Sequence, residues 1–209
     1  MSVSTSAGAP VRPKLSLRFG ARDLLNTAIF AVIFVVAVYA IGMLGIISPL
    51  VWLVAVLLQV IAGGIVVMLF FTRVRHGGMV TLFATVVALF YLLNGNTPVS
   101  TLAIIALGLV AEVLLWAGGY RSKWAAIGAY TVFALSFFTP FLPLLTDRQA
   151  YFASSAWTEM GPEYAHAADA LFSAGVIGAV ASAIAVAGFL GALLGSALLR
   201  KHFVRAGLA

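Results

Sequence analysis

Residues 24–72 read LLNTAIFAVIFVVAVYAIGMLGIISPLVWLVAVLLQVIAGGIVVMLFFT and contain no Asp, Glu, Lys, Arg or His. A stretch of this length accommodates two membrane spans of about 20 residues each. Backbone amides in hydrocarbon have no water partner, so a spanning segment must be a helix or part of a closed barrel. The apolar run is continuous and does not alternate, which selects helices. The rest of the chain follows the same rule. Of its 209 residues 63% are hydrophobic and 9% charged, too apolar for the surface of a soluble domain. The fold class expected is an all-α polytopic membrane protein.

Turn signals divide the chain into six spans. Helix one is expected at about Asp23–Leu44, ending at the Gly42 and Gly45 pair, and helix two at about Pro49–Phe71, with Pro49 in its first turn. Helix three covers Met79–Leu93 and stops at the turn Asn94-Gly95-Asn96-Thr97-Pro98. Helix four runs on to Ala117, helix five covers Trp124–Leu145 with breaks near Pro140 and Pro143, and helix six is a long one, Ala167–Leu199. Residues 1–13, rich in Ser, Ala, Gly and Pro, form an expected disordered tail; residues 14–209 form one membrane domain. The first helix follows a basic stretch with no small-residue cleavage site, so it is read as permanent.

Lys and Arg are retained on the cytoplasmic side during insertion. With both termini inside, Arg12, Lys14, Arg18, Arg22, Arg73, Arg75, Arg121, Lys123, Arg200, Lys201 and Arg205 are cytoplasmic and Arg148 alone is external. Asp147, Glu159, Glu163 and Asp169 then gather in the external segment between helices five and six. The formal charge of +6 is therefore a topology signal, with contact to anionic lipid a secondary reading and no nucleic-acid partner required. The localisation expected is the cytoplasmic membrane, crossed several times.

Chemistry-bearing motifs are sparse. There is no Walker A pattern, no His-Glu-x-x-His and no cysteine. His76, His166 and His202 are widely separated, so neither a metal site nor a catalytic set is expected, and the chain is read as no enzyme and without a cofactor of its own. Glu112 is the one acidic residue inside an apolar span, about 9 Å from the Gly118 end of helix four. Intramembrane charge is costly and marks function by default. Two readings stand: a coupling carboxylate that exchanges partners, or an ion pair with Arg73, Arg75 or Arg121 that fixes helix four.

The external face gathers the Asn94–Pro98 turn, the Pro140–Pro143 break and the segment from Arg148 to Tyr164. Broken helices at membrane depth persist where they are buried or line a cavity. Tyr151, Phe152, Trp157 and Tyr164 with Arg148, Glu159 and Glu163 have the composition of a small-molecule pocket, and equally of an aromatic belt at headgroup level. By position and chemistry, the ligand-binding candidates are Asn94, Asn96, Arg148, Tyr151, Trp157 and Glu159. Two small-residue stripes complete the inventory. Gly188, Ala192 and Ser196, with Gly191 and Gly195, suit packing within the chain, and Thr27 and Ala31 beside Ala28 suit a face toward another subunit.

The runs KLSLRFGARDLLNTAIFAVIF, GMLG, GMVTLF, LGLVAEVLLWAGGYRSK, PFLP, RQAYFA and GALLGSALLRKHFVRAGL, spread in order from Lys14 to Leu208, resemble the Trep_Strep family of energy-coupling factor transporter S components. The resemblance implies a six-helix subunit that captures a scarce nutrient, of the vitamin, cofactor or metal-chelate class, from outside. It implies a transmembrane coupling subunit and two ATPase subunits as partners, with ATP used by the latter. The substrate would lie under the loops after helices one, three and five, and transport would involve toppling of the whole subunit. Its Ala-x-x-x-Ala contact motif falls on Ala28 and Val32, with Thr27 and Ala31 offering a small pair one position earlier. The alternatives are a stand-alone ion-coupled carrier or a membrane enzyme built on Glu112. A carrier would call for internal repeats, and the two halves show none.

Overall fold

The computed structural model describes residues 20–74 and 76–203. The expected disordered tail, Lys14, Arg18, Arg75 and Arg205 lie outside the described residues. Ten α-helices follow in order among the described residues: α1 Ala21–Gly42, α2 Pro49–Phe71, α3 Met79–Leu93, α4 Pro98–Ala117, α5 Lys123–Ala134, α6 Leu142–Thr146, α7 Arg148–Phe152, α8 Ser155–Met160, α9 Pro162–Leu171 and α10 Ala174–Leu198. No strand occurs among the described residues. Five segments are long and apolar enough to cross a membrane, and α3 is a shorter apolar sixth.

Local chemistry sets the ends of these helices. Ser48, Thr97, Ser122 and Ser173 each precede a helix and accept a backbone amide with their hydroxyl oxygen, which satisfies one of the first-turn donors. α5 changes character where Pro140 approaches. Proline lacks an N–H and its ring crowds the carbonyl four residues back, so the chain tightens to a 3₁₀ helix over Leu135–Phe141. The Ser136 carbonyl, which Pro140 leaves without its helical donor, accepts the Thr139 hydroxyl at 2.7 Å.

Six helices close a ring in the order α1, α2, α10, α5, α4, α3. The α2–α10 side is the closest approach: a methyl group added at Gly64 would stand 2.5 Å from the Gly191 backbone. Gly195 also backs onto Gly64, and Gly188 onto Ala134 of α5. The stripe on the last helix is thus spent on packing inside the chain, where small residues let dispersion forces act without a hydrophobic drive. The ring's centre is filled by aromatic side chains. Phe34 is 1% exposed and meets Phe83 edge-on at 5.4 Å, with Phe133 at 6.1 Å; the buried Tyr130 hydroxyl donates to the Val60 carbonyl.

One expectation needs correction. The last helix does not run unbroken from Ala167: α9 ends at Leu171 and α10 begins at Ala174. Phe172, 1% exposed, turns into the core there, and Ser173 starts the new helix by accepting the Val176 amide. The external segment before it, whose secondary structure the sequence left open, is helical. It folds into α7, α8 and α9, which lie over the ring at the end opposite the basic residues Arg22, Arg73, Arg121, Lys123, Arg200 and Lys201.

Candidate functional site

The two ends of the ring hold different kinds of polar group. At the basic end, α3 is only 15 residues long, about 22 Å, so its first turn begins inside the protein, with Met79 and Val80 buried. Its N-cap is Gly78, at φ +94°, which has no side chain to offer. Glu112 supplies the missing acceptor from α4. Its Oε2 takes the Val80 amide at 2.8 Å and the Thr81 amide at 3.1 Å, and its Oε1 takes the Tyr120 hydroxyl at 2.8 Å. A carboxylate at a helix N-terminus meets both the orphan amides and the positive end of the helix dipole.

Tyr120 reaches Glu112 by adopting φ +57°, rare outside glycine. Burial, and then the adjoining carboxylate, push its phenol well above the usual range, so the proton stays on tyrosine. Nearby, His76 Nε2 lies 3.0 Å from Asp23 Oδ2, joining the start of α1 to the α2–α3 connection. That hydrogen bond raises the His76 pKa against the opposing effect of burial. Glu112 thus joins α4 to the start of α3 and to Tyr120 through two helix amides and a phenol, not through the ion pair with Arg73, Arg75 or Arg121 that one sequence reading expected.

The opposite end contains a partly open cavity of about 190 Å³. It lies between the outgoing end of α1, the middle of α2, the end of α3, the Asn96 turn and the 3₁₀ segment after α5. Its polar lining is Tyr39, Gln59, Tyr91, Asn96, Ser136 and Thr139, and its aromatic walls include Phe34, Trp52 and Phe137. No Asp, Glu, Lys, Arg or His lines it. The break at Pro140 is what brings Ser136 and Thr139 to the cavity. Ser100 locks this edge from α4 by donating to the Thr139 carbonyl at 2.8 Å.

Two carboxamides face this space without partners. Gln59, 8% exposed, lines the cavity, and its carboxamide shows no hydrogen bond among the described residues. Asn96 has its side-chain nitrogen withdrawn from solvent and unpartnered. A buried amide left unpaired costs about 1–3 kcal/mol. The Thr27 and Thr81 hydroxyls are also without a partner, but neither lines the cavity. Gly42 makes room for Gln59: a methyl group there would stand 2.3 Å from Gln59 Nε2.

Above the cavity, α7–α9 form an aromatic layer. Trp157, 8% exposed, packs on Tyr151 at 5.3 Å, Phe152 at 5.1 Å and Tyr164 at 5.9 Å, and meets Trp52 edge-on at 6.0 Å. The Tyr164 hydroxyl donates to the Gly45 carbonyl at 2.6 Å, strapping α9 to the turn after α1. Arg148 binds Asp169 at 2.6 Å and the Phe172 carbonyl at 2.8 Å, and so fastens α7 to the α9–α10 corner.

Of the six ligand candidates, the cavity takes only Asn96. Asn94 is exposed and its amide donates to the Phe90 carbonyl at the end of α3. Arg148 and Trp157 border a separate open groove on the outer surface, while Tyr151 packs within the aromatic layer and Glu159 points away from it, exposed. The residues that sequence reasoning missed are Tyr39, Trp52, Gln59, Tyr91, Ser136 and Thr139. Gln59 carried a usable signal as the one carboxamide in the apolar run of α2.

On helix one, Thr27 and Ala31 are each 1% exposed and pack inside the ring, whereas Val32 is 61% exposed and Ala28 shares its outward face. The small pair is thus used internally.

The chain belongs to the Trep_Strep family, described as a hypothetical bacterial integral membrane protein family, whose model matches residues 21–205. No curated protein and no solved structure matches it.

Proposed function

We propose that this membrane protein is the substrate-capturing S component of an energy-coupling factor importer, oriented with both termini in the cytoplasm and the cavity toward the outside. The cavity carries the reading. It opens among the turn after α1, the α3–α4 turn and the break after α5, the three places where the sequence resemblance expects a substrate to be enclosed. Ligand capture there would leave energy coupling to partners, in keeping with a chain that has no nucleotide-binding motif.

The partners would be a transmembrane coupling subunit and two ATPases that reorient the loaded subunit. The outward face of α1, with Ala28 and Val32, is the surface to offer them, because Thr27 and Ala31 are occupied within the ring. The carrier alternative would use Glu112 for coupling, yet both oxygens of that carboxylate already hold α3 and Tyr120, at the end away from the cavity.

The test is a pull-down of the tagged chain from the membranes of its own host in mild detergent, with mass spectrometry of what accompanies it. Recovery of one multi-span subunit with two ATPase subunits supports the importer. Their absence across growth conditions that starve different nutrients would overturn it.

A further inference from the structure

We infer that the cavity selects an uncharged, planar molecule of one or two rings that carries an amide-type edge, a hydrogen-bond donor beside an acceptor. This deepens the importer reading and rests on the cavity being the capture site. Charge is decided by what is missing from the walls. The lining has no ionisable side chain other than the two phenols of Tyr39 and Tyr91, and a bare ion moved from water into such a space loses hydration that nothing replaces.

Backbone charge does not compensate. The helix start beside the cavity, α4, has its Ser100 amide taken by Thr97 Oγ1 at 3.2 Å, and its first residue, Pro98, has no amide to present. The α2 start is capped in the same way by Ser48, at 3.2 Å. The charged groups of this end are engaged elsewhere or face away. Arg148 is paired with Asp169, Asp147 caps Ala150, and Glu159 and Glu163 are exposed.

Size follows from volume. An apolar cavity of about 150 Å³ holds one benzene ring, and drug-sized ligands use about 300–1,000 Å³. A space of about 190 Å³ therefore seats one ring or a compact fused pair.

Shape and polarity follow from the walls. Phe34, Trp52, Tyr91 and Phe137 line the cavity, and aromatic walls favour a flat partner. Gln59 and Asn96 each present an N–H donor beside a carbonyl acceptor, a pattern that pairs bidentately with an adjacent donor and acceptor on a heterocycle. A hydrocarbon of the same shape would leave both carboxamides unpaired, the condition under which polar sites discriminate most strongly.

The experiment uses the purified full chain in detergent and follows thermal stability and tryptophan fluorescence. One-ring probes differ only in charge: nicotinamide is neutral, nicotinate anionic and 1-methylnicotinamide cationic. Hypoxanthine is a neutral two-ring probe and riboflavin a larger control. At least one of nicotinamide and hypoxanthine should bind saturably, at least tenfold more tightly than nicotinate, 1-methylnicotinamide and riboflavin. Gln59→Leu should weaken that binding at least tenfold, and Glu163→Gln should leave it within twofold.

A charged probe or riboflavin binding as tightly as the best neutral probe overturns the inference, as does failure of both neutral probes to bind at 10 mM, or indifference to Gln59→Leu. The importer reading fails separately. Neutral-probe binding without any coupling or ATPase subunit in the pull-down would leave this inference standing, whereas co-purification with a preference for charged probes would sink this inference alone.

Discussion

The two ends of the ring treat their buried polar groups in opposite ways. At the basic end, the carboxylate of Glu112 is surrounded by three donors that need it, the Val80 and Thr81 amides and the Tyr120 hydroxyl. At the other end, the carboxamides of Gln59 and Asn96 border open space, and the Asn96 amide nitrogen is buried without a partner. A satisfied polar group inside a membrane protein explains itself as architecture; an unsatisfied one beside a cavity points to a ligand. The lone intramembrane acid is held by three donors, and Gln59, inconspicuous in the sequence, lines the cavity on which the proposed site rests.

The largest effect expected is at the aromatic layer of α7–α9. Trp157→Ala should lower unfolding free energy by about 3 kcal/mol or more, read as a fall in Tm, because the ring is buried among five aromatic neighbours. Unchanged Tm with lost ligand binding would instead move Trp157 into the site. Next, Glu112→Ala should cost about 2–3 kcal/mol by leaving the start of α3 uncapped, with ligand affinity of the folded protein unaltered. Glu112→Gln keeps one acceptor and should cost less. Abolished uptake by Glu112→Gln in a folded, assembled protein would favour the ion-coupled carrier.

At the cavity the pattern reverses. Gln59→Leu should weaken ligand binding at least tenfold, about 1.4 kcal/mol, while the ligand-free Tm holds or rises, since an unpaired amide is removed. A lower Tm would mean that Gln59 has a structural partner after all. Gly42→Ala sharpens this further. The added methyl displaces only the flexible end of Gln59, so affinity should fall several-fold at almost constant stability, helped by the better helix propensity of alanine.

The smallest effect is a pH slope from the basic end. The bond to Asp23 raises the His76 pKa in the folded state above its unfolded value of about 6.5. Its stabilisation is therefore complete below about pH 6.5 and fades as pH rises through the folded pKa. Tm should decline over that interval in the native chain, and His76→Gln should flatten the slope.

Much of the fold was legible in the sequence because lipid imposes a coarse grammar. Apolar runs had to be helices, and Pro49, the Asn94–Pro98 turn and the Gly118–Gly119 pair marked their ends. The boundaries of α2 and α3 coincide with those expected. The external segment was harder, since Tyr151, Phe152 and Trp157 have the same composition whether they line a pocket or pack on one another. Glu112 could not be assigned because two of its three donors are backbone amides, invisible in residue types. The cavity was legible only at Asn96 and at the Pro140 break. Tyr39, Trp52, Gln59 and Tyr91 converge there through the ring order of α1, α2 and α3, which no local pattern encodes.

The most direct test of the account is to ask what the protein carries when it leaves the cell. Wild-type chain, Gln59→Leu and Glu112→Gln would each be purified from membranes of the host in mild detergent, unfolded, and their released small molecules identified by mass spectrometry. The account predicts one uncharged low-mass compound at close to one equivalent in the wild type and in Glu112→Gln, and its loss in Gln59→Leu. Equal retention by Gln59→Leu, or no compound from wild-type protein, would contradict it.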